Sequence, residues 1–283
     1  AMAKGGTIVL TKDLIGSGEG DSNTCIGVRA ADGDVEIVLD LNGKRLGYEL
    51  DLMTTIAGSG DDSGYRLKIK IINGKIGTDD GYSAADADGK RGQLYYGVLC
   101  QGNGVDLTLE NVESSAYYGG LYANGQYKNN VITANNCVFK AACDNGLDGS
   151  GAYLPGQNTY KFTKCEFSGS VGVYIKSGNT TFTDCTITTN GTYVAPTYNG
   201  NGADGSGSAL IIDSTKGYQT PMTVKVIGGT ITSISGYAVE EVSNAKTEAE
   251  KICYSTTTIS STTVLSGKLG RVYSENGTVT IVA

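Results

Sequence analysis

The residue types that carry acid–base chemistry are unevenly supplied in this sequence. Its 283 residues include no histidine and no tryptophan, but 18 tyrosines, 29 Asp and Glu and 7 cysteines. Without histidine, a proton must move through a carboxylate, a lysine or a tyrosine. Asp144 and Asp148, in Asp144-Asn-Gly-Leu-Asp148, are the candidate catalytic residues, because a pair of carboxylates suffices to hydrolyse a glycoside. Tyr122, Tyr153 and Tyr174 each follow a Gly-initiated strand start, with Asn124, Pro155 and Lys176 two residues further on. Aromatic rings on an exposed sheet can hold pyranose faces, and Asn or Lys beside them can bind hydroxyls or carboxylates. Tyr122, Tyr153, Tyr174, Lys176 and Asn124 are therefore the candidate ligand-binding set.

Metal and redox chemistry find little footing. Asp86-Ala87-Asp88-Gly89 opens like a calcium loop, but Lys90 holds the fifth position, where an EF-hand needs Asp or Asn. A solvated acidic loop is expected there, and no metal or cofactor. An odd number of cysteines rules out a fully paired disulfide framework, and no C-x-x-C spacing occurs. Formal net charge is −7 and the basic residues are scattered, which argues against nucleic acid as a partner. No apolar run is long enough to span a membrane. Ala1-Met2-Ala3 leads straight into strand pattern and is read as an expression scar standing after a removed leader, so the missing signal peptide is uninformative.

The elements that must position these residues repeat. Glycine is abundant at 42 and proline scarce at 3, which suits many tight turns between strands. Two inward residues alternate along a strand, a two-residue corner follows, and two more inward residues alternate beyond it. Tyr160 and Phe162, corner Thr163-Lys164, then Cys165 and Phe167 give the clearest case. Ile132 and Ala134 lead likewise to Cys137 and Phe139, and Phe182 to Cys185 and Ile187. The last unit is read as Ile259, corner Ser260-Ser261, Val264. Corner positions fall at 43, 73, 111, 136, 164, 184, 228 and 261, where Asn and Gly are frequent because both tolerate positive φ. Asn42-Gly43 leaves Lys44 in an inward register, so a bulge or an atypical terminal unit is expected there. About eight rungs at about 4.8 Å would make a rod of roughly 40 Å.

A third strand opens most rungs, with Leu99, Tyr122, Tyr153, Tyr174 and Leu210 expected on its outer side. The tyrosines would then sit about 4.8 Å apart on one exposed face. Insertions near 77–94, 140–150 and 188–207 all precede this strand and would wall one side of it as a groove. Cys137, Cys165 and Cys185 share one inward column and are expected to pack as small hydrophobes. A short helix is expected over 243–253, with Thr247 and Glu250 as a capping box. The fold class is thus all-β: a single-domain, single-stranded right-handed parallel β-helix, right-handed because parallel crossovers nearly always are.

Val35-Glu-Ile-Val-Leu-Asp-Leu-Asn-Gly-Lys-Arg-Leu46, preceded by Gly6-Thr-Ile-Val-Leu-Thr-Lys-Asp-Leu14, resembles the opening of bacterial cell-surface β-helix proteins of the pectate-lyase-like superfamily. The specific motif is confined to the first fifty residues, while the architecture covers the chain. The resemblance implies a right-handed β-helix at the cell surface or outside the cell; it does not imply activity, since that scaffold carries lyases, hydrolases and adhesins. Pectin-type hydrolases of the fold use clustered aspartates, a Gly-His-Gly element and an Arg-Ile-Lys strand. Asp144…Asp148 and Gly172-Val-Tyr-Ile-Lys176 resemble two of these, but the histidine is missing and Tyr174 stands in place of the arginine. A lyase would pair a calcium-binding aspartate cluster with an Arg or Lys base, and Arg29, Arg45, Arg66, Arg91 and Arg271 are not visibly so paired. The expectation is a monomeric, adhesin-like, non-catalytic surface protein that binds a polysaccharide or host-surface glycan. A hydrolase or lyase is the alternative, and a structural stalk without ligand a third.

Overall fold

The computed structural model describes residues 5–20, 24–56, 61–143 and 149–283. The chain is all-β. A seventeen-stranded sheet and a nine-stranded sheet carry the fold. The larger bends into two faces at the corner: Leu67–Gly77 and Val105–Ala116 run through both faces, whereas later rungs break into pairs such as Thr159–Thr163 and Glu166–Gly169. All pairings within these two sheets are parallel and join each strand to one a full repeat away, as in a β-solenoid.

Inward residues stack by register. Ala134, Phe162, Phe182, Val226 and Ile259 form one column, and Phe139, Phe167, Ile187, Ile231 and Leu265 another. Phe162 stacks on Phe182 at 5.4 Å and Phe139 on Phe167 at 5.3 Å. Each such buried ring contributes roughly 1.5–3 kcal/mol. The column fixes the register, since a one-residue slip would turn every ring outward.

The corner is left-handed backbone. Asn42, Asn73, Asn111 and Asn136 have φ of 50°, 59°, 55° and 53°, and Lys164 and Asp184 adopt the same conformation at 53° and 52°. Asn136 donates its amide to Asn111 Oδ1 at 2.7 Å, and Asn111 to Asn73 Oδ1 at 3.4 Å, so side chains ladder outside the turn. At Asn42-Gly43 two successive residues take positive φ, and Lys44 N–H donates to Leu41 carbonyl at 2.7 Å. That wider turn absorbs the extra residue.

Three expectations are corrected. Ser261 is not left-handed; the last corner is a longer turn in which Thr263 N–H donates to Ser260 carbonyl. The added residue turns Val264 outward and Leu265 inward. Leu210 pairs with Val173 and is buried, so Ile211 takes the place expected for it beside Tyr174. The 243–253 segment is not one helix: Ser243 ends strand Tyr237–Ser243, and only Glu250–Cys253 coils, as a single 3-10 turn. Glu250 does accept the Thr247 N–H at 3.0 Å and the Lys246 N–H at 2.8 Å, which caps that turn.

Candidate functional site

The nine-stranded sheet places the tyrosines. Asp51, Leu99, Tyr122, Tyr153, Tyr174, Ile211 and Glu240 are register partners on successive strands, all on its outer side. The strands start on small residues because the corner is crowded there; a Cβ on Gly172 would come within 2.8 Å of the Ala209 and Thr188 carbonyls. Tyr122 and Tyr153 stack at 5.1 Å, and Tyr153 leans on Tyr174 at 6.0 Å. Tyr122 and Tyr153 are half-buried.

Tyr174 departs from the expectation of an exposed ladder, being only 3% exposed. A hairpin of Val194–Asn199 and Gly202–Ser206, inside the 188–207 insertion, covers it. Ala203 is the anchor. Its carbonyl accepts the Tyr174 hydroxyl at 2.5 Å and Lys176 Nζ at 3.2 Å, while its N–H donates to Asp213 Oδ2 at 2.8 Å. Lys176 also donates to the Asn201 carbonyl at 3.1 Å and lies 3.4 Å from Asp213 Oδ2. Burial pushes the Asp213 carboxyl up to about 7, opposed by Lys176 and the Ala203 N–H. Lys176 is thus spent on holding the hairpin, with little left for a ligand carboxylate.

Where the hairpin ends, a cavity of about 380 Å³ opens, lined by Asn124, Tyr153 and Lys176 from the expected set and by Asn201, Thr215 and Tyr218. A second cavity of about 420 Å³ continues along the sheet past Tyr153 and Tyr122 to Tyr96, Leu99 and Gln101. Asn124, Gly125 and Tyr153 line both, so the two make one groove. The Thr215 hydroxyl is buried with no hydrogen-bond partner among the described residues. Asn124 Oδ1 accepts the Gln126 N–H at 3.2 Å, fixing the turn between the cavities.

Five further tyrosines join the column. Tyr96 packs on Tyr122 at 4.4 Å, Tyr95 on Tyr118 at 5.6 Å, and Tyr118 and Tyr82 both touch Tyr117. The signal for four of them was in the sequence: Tyr95-Tyr96 and Tyr117-Tyr118 both stand just before the small residues that open successive rungs.

At the groove's far end sit two carboxyls that sequence reasoning passed over. Glu49 and Asp51 share a side-chain hydrogen bond; Tyr96 N–H donates to Glu49 at 3.3 Å and the Gln101 amide to Asp51 at 3.4 Å. Burial, then the Asp51 charge, pushes the Glu49 carboxyl up to about 8. Asp144 and Asp148 lie outside the described residues. In the 77–94 loop the acids serve the loop itself: Asp79 pairs with Arg45, Asp80 with Arg91, and Asp86 Oδ1 accepts the Asp88 and Lys90 N–H groups. Cys137, Cys165 and Cys185 are buried thiols outside any disulfide.

An all-β solenoid with an aromatic groove on its outer face is the class that fold and site define. Compared with known protein families, curated proteins and solved structures, the chain matches none. No helix among the described residues is long and apolar enough to cross a membrane.

Proposed function

We propose that this chain is a secreted or cell-surface, adhesin-like protein that binds a polysaccharide or host-surface glycan without acting on it. The observation that carries this is the stacked Tyr122–Tyr153 pair running into a cavity lined by Asn124, Asn201 and Tyr218. Aromatic faces flanked by amide and hydroxyl groups suit sugars, which present apolar C–H faces and polar rims. The extracellular placement and kinship with the pectate-lyase-like superfamily rest on the first fifty residues; a right-handed coil of about eight rungs rests on the crossover rule and the corner repeat. Isothermal calorimetry against plant, mucin and bacterial polysaccharides tests the reading. A saturating isotherm weakened by Tyr122→Ala and Tyr153→Ala supports it, and silence across the panel favours a stalk.

A hydrolase remains the second reading, favoured by one observation. Burial and the Asp51 charge beside it let Glu49 hold a proton near neutrality, and a protonated carboxyl at the end of a sugar groove is the general acid that glycoside hydrolysis uses. Release of reducing ends, abolished by Glu49→Gln, would decide for it.

A further inference from the structure

We infer that the groove takes an uncharged polysaccharide chain rather than an acidic one, an inference that rests on the glycan reading above. Of the described residues lining the two cavities, Lys176 alone is cationic. Its side chain is 6% exposed, and its ammonium already donates to the Asn201 and Ala203 carbonyls beside Asp213, with Asp204 Oδ1 4.0 Å away. Binding a ligand carboxylate there would mean breaking bonds that hold the hairpin, at the cost of leaving Asp213 buried and unpaired. The remaining polar lining is neutral amide and phenol, such as Asn124, Gln126, Asn201 and Tyr218.

The ends of the groove reinforce this. Glu49 and Asp51 stand behind Tyr96 and Gln101 at one end, and Asp204 beside Lys176 at the other. The chain's formal charge is −7. A uronate or sulfated chain laid along the groove would meet like charge at both ends and, among the described lining residues, no free cation between them, whereas a neutral chain meets only rings, amides and hydroxyls. Leu99, Tyr122 and Tyr153 lie on three successive strands and Lys176 just past the end of the fourth, a run of about 14 Å at the usual strand spacing, so an oligosaccharide fits better than a single sugar.

The test is calorimetry at pH 8, where Asp213 is ionised, with neutral glucan, mannan and galactan oligosaccharides against oligogalacturonides and chondroitin sulfate fragments. A neutral member is expected to bind at least about tenfold more tightly than any acidic one. Its affinity should hold between about 0.01 and 1 M salt, although the Debye length falls from about 30 to about 3 Å. Tyr153→Leu keeps an apolar side chain in this half-buried place but removes the ring, and should weaken binding at least about tenfold. An acidic oligomer that outbinds every neutral one, weakens with salt and is lost in Tyr153→Leu overturns the inference and leaves the glycan reading standing. No binding by any member, or neutral binding untouched by Tyr153→Leu, overturns both.

Discussion

Lys176 Nζ lies 3.4 Å from Asp213 Oδ2, and the two side chains are 6% and 0% exposed. Lys176 follows the end of strand Val171–Ile175 and Asp213 lies on the adjacent strand Leu210–Ser214, both beneath the 194–206 hairpin, and Ala203 bonds to both partners. Its role is to fasten the hairpin over Tyr174. Removing one partner of a buried pair leaves the other charge uncompensated, so Lys176→Met should cost about 3–5 kcal/mol at pH 8. The loss should shrink by pH 5.5, because protonation of Asp213 removes the orphaned charge. Denaturant melts at the two pH values check this; an equal loss at both would mean the lysine acts through packing alone.

The corner column makes a separate prediction. Lys164 sits at φ 53° between Asn136 and Asp184, without the local hydrogen bonding by which Asn eases this backbone. Lys164→Asn should stabilise the chain by about 0.5–1 kcal/mol by relieving that strain and extending the asparagine ladder. Asn111→Ala should cost about 1–2 kcal/mol, since it imposes the strain and breaks two ladder bonds. Thermal melts of both variants measure the difference, and the reverse order of stability would sink the ladder argument.

These positions mark where the sequence could be read. Phe, Cys and Asn recur at fixed offsets because each must match the residue directly above and below it, so one rung predicts the next. Leu210 and Val264 were misplaced by one residue because register there depends on the length of a preceding loop or turn, which no periodicity encodes. Tyr174 reads as exposed from strand parity, which is correct for its side of the sheet. Its cover comes from residues 194–206, folded back across neighbouring rungs by long-range bonds to Ala203. Glu49 and Asp51 were missed for the same reason: only the fold brings Tyr96 and Gln101 against them.

The thiols should divide by burial. Cys25 is half-exposed, whereas Cys100, Cys137, Cys143, Cys165, Cys185 and Cys253 are buried. Cys165 is held up to about 12, chiefly by the neighbouring Cys137 thiol, and burial likewise lifts Cys100 to about 12. The thiolate is the reactive form, so native protein at pH 8 should be alkylated rapidly at Cys25 and only on unfolding at the rest. Mass mapping after brief iodoacetamide treatment tests this. Rapid labelling of Cys165 in folded protein would contradict a closed rod at that rung.

Stability should fall as the solution becomes alkaline, and two buried carboxyls supply the reason. Glu49 titrates at about 8 in the fold against an ordinary value of 4.5, and Asp213 at about 7 against 3.8. Each binds its proton more tightly when folded, so its stabilising contribution is complete below the ordinary value and is lost as pH rises through the folded value. Glu113, bonded to Lys75 and Lys140, works in the opposite sense: its value is lowered, and its contribution is lost on acidification. Maximum stability is therefore expected in mild acid, with a decline between about pH 5 and about pH 9. Glu49→Gln keeps a hydrogen-bonding group of similar shape but has no charge to bury, so its Tm should decline less over that range. A decline as steep as that of the unaltered protein would mean that Glu49 is ionised in the folded state at neutral pH, and would remove the basis for its role as a proton donor in the groove.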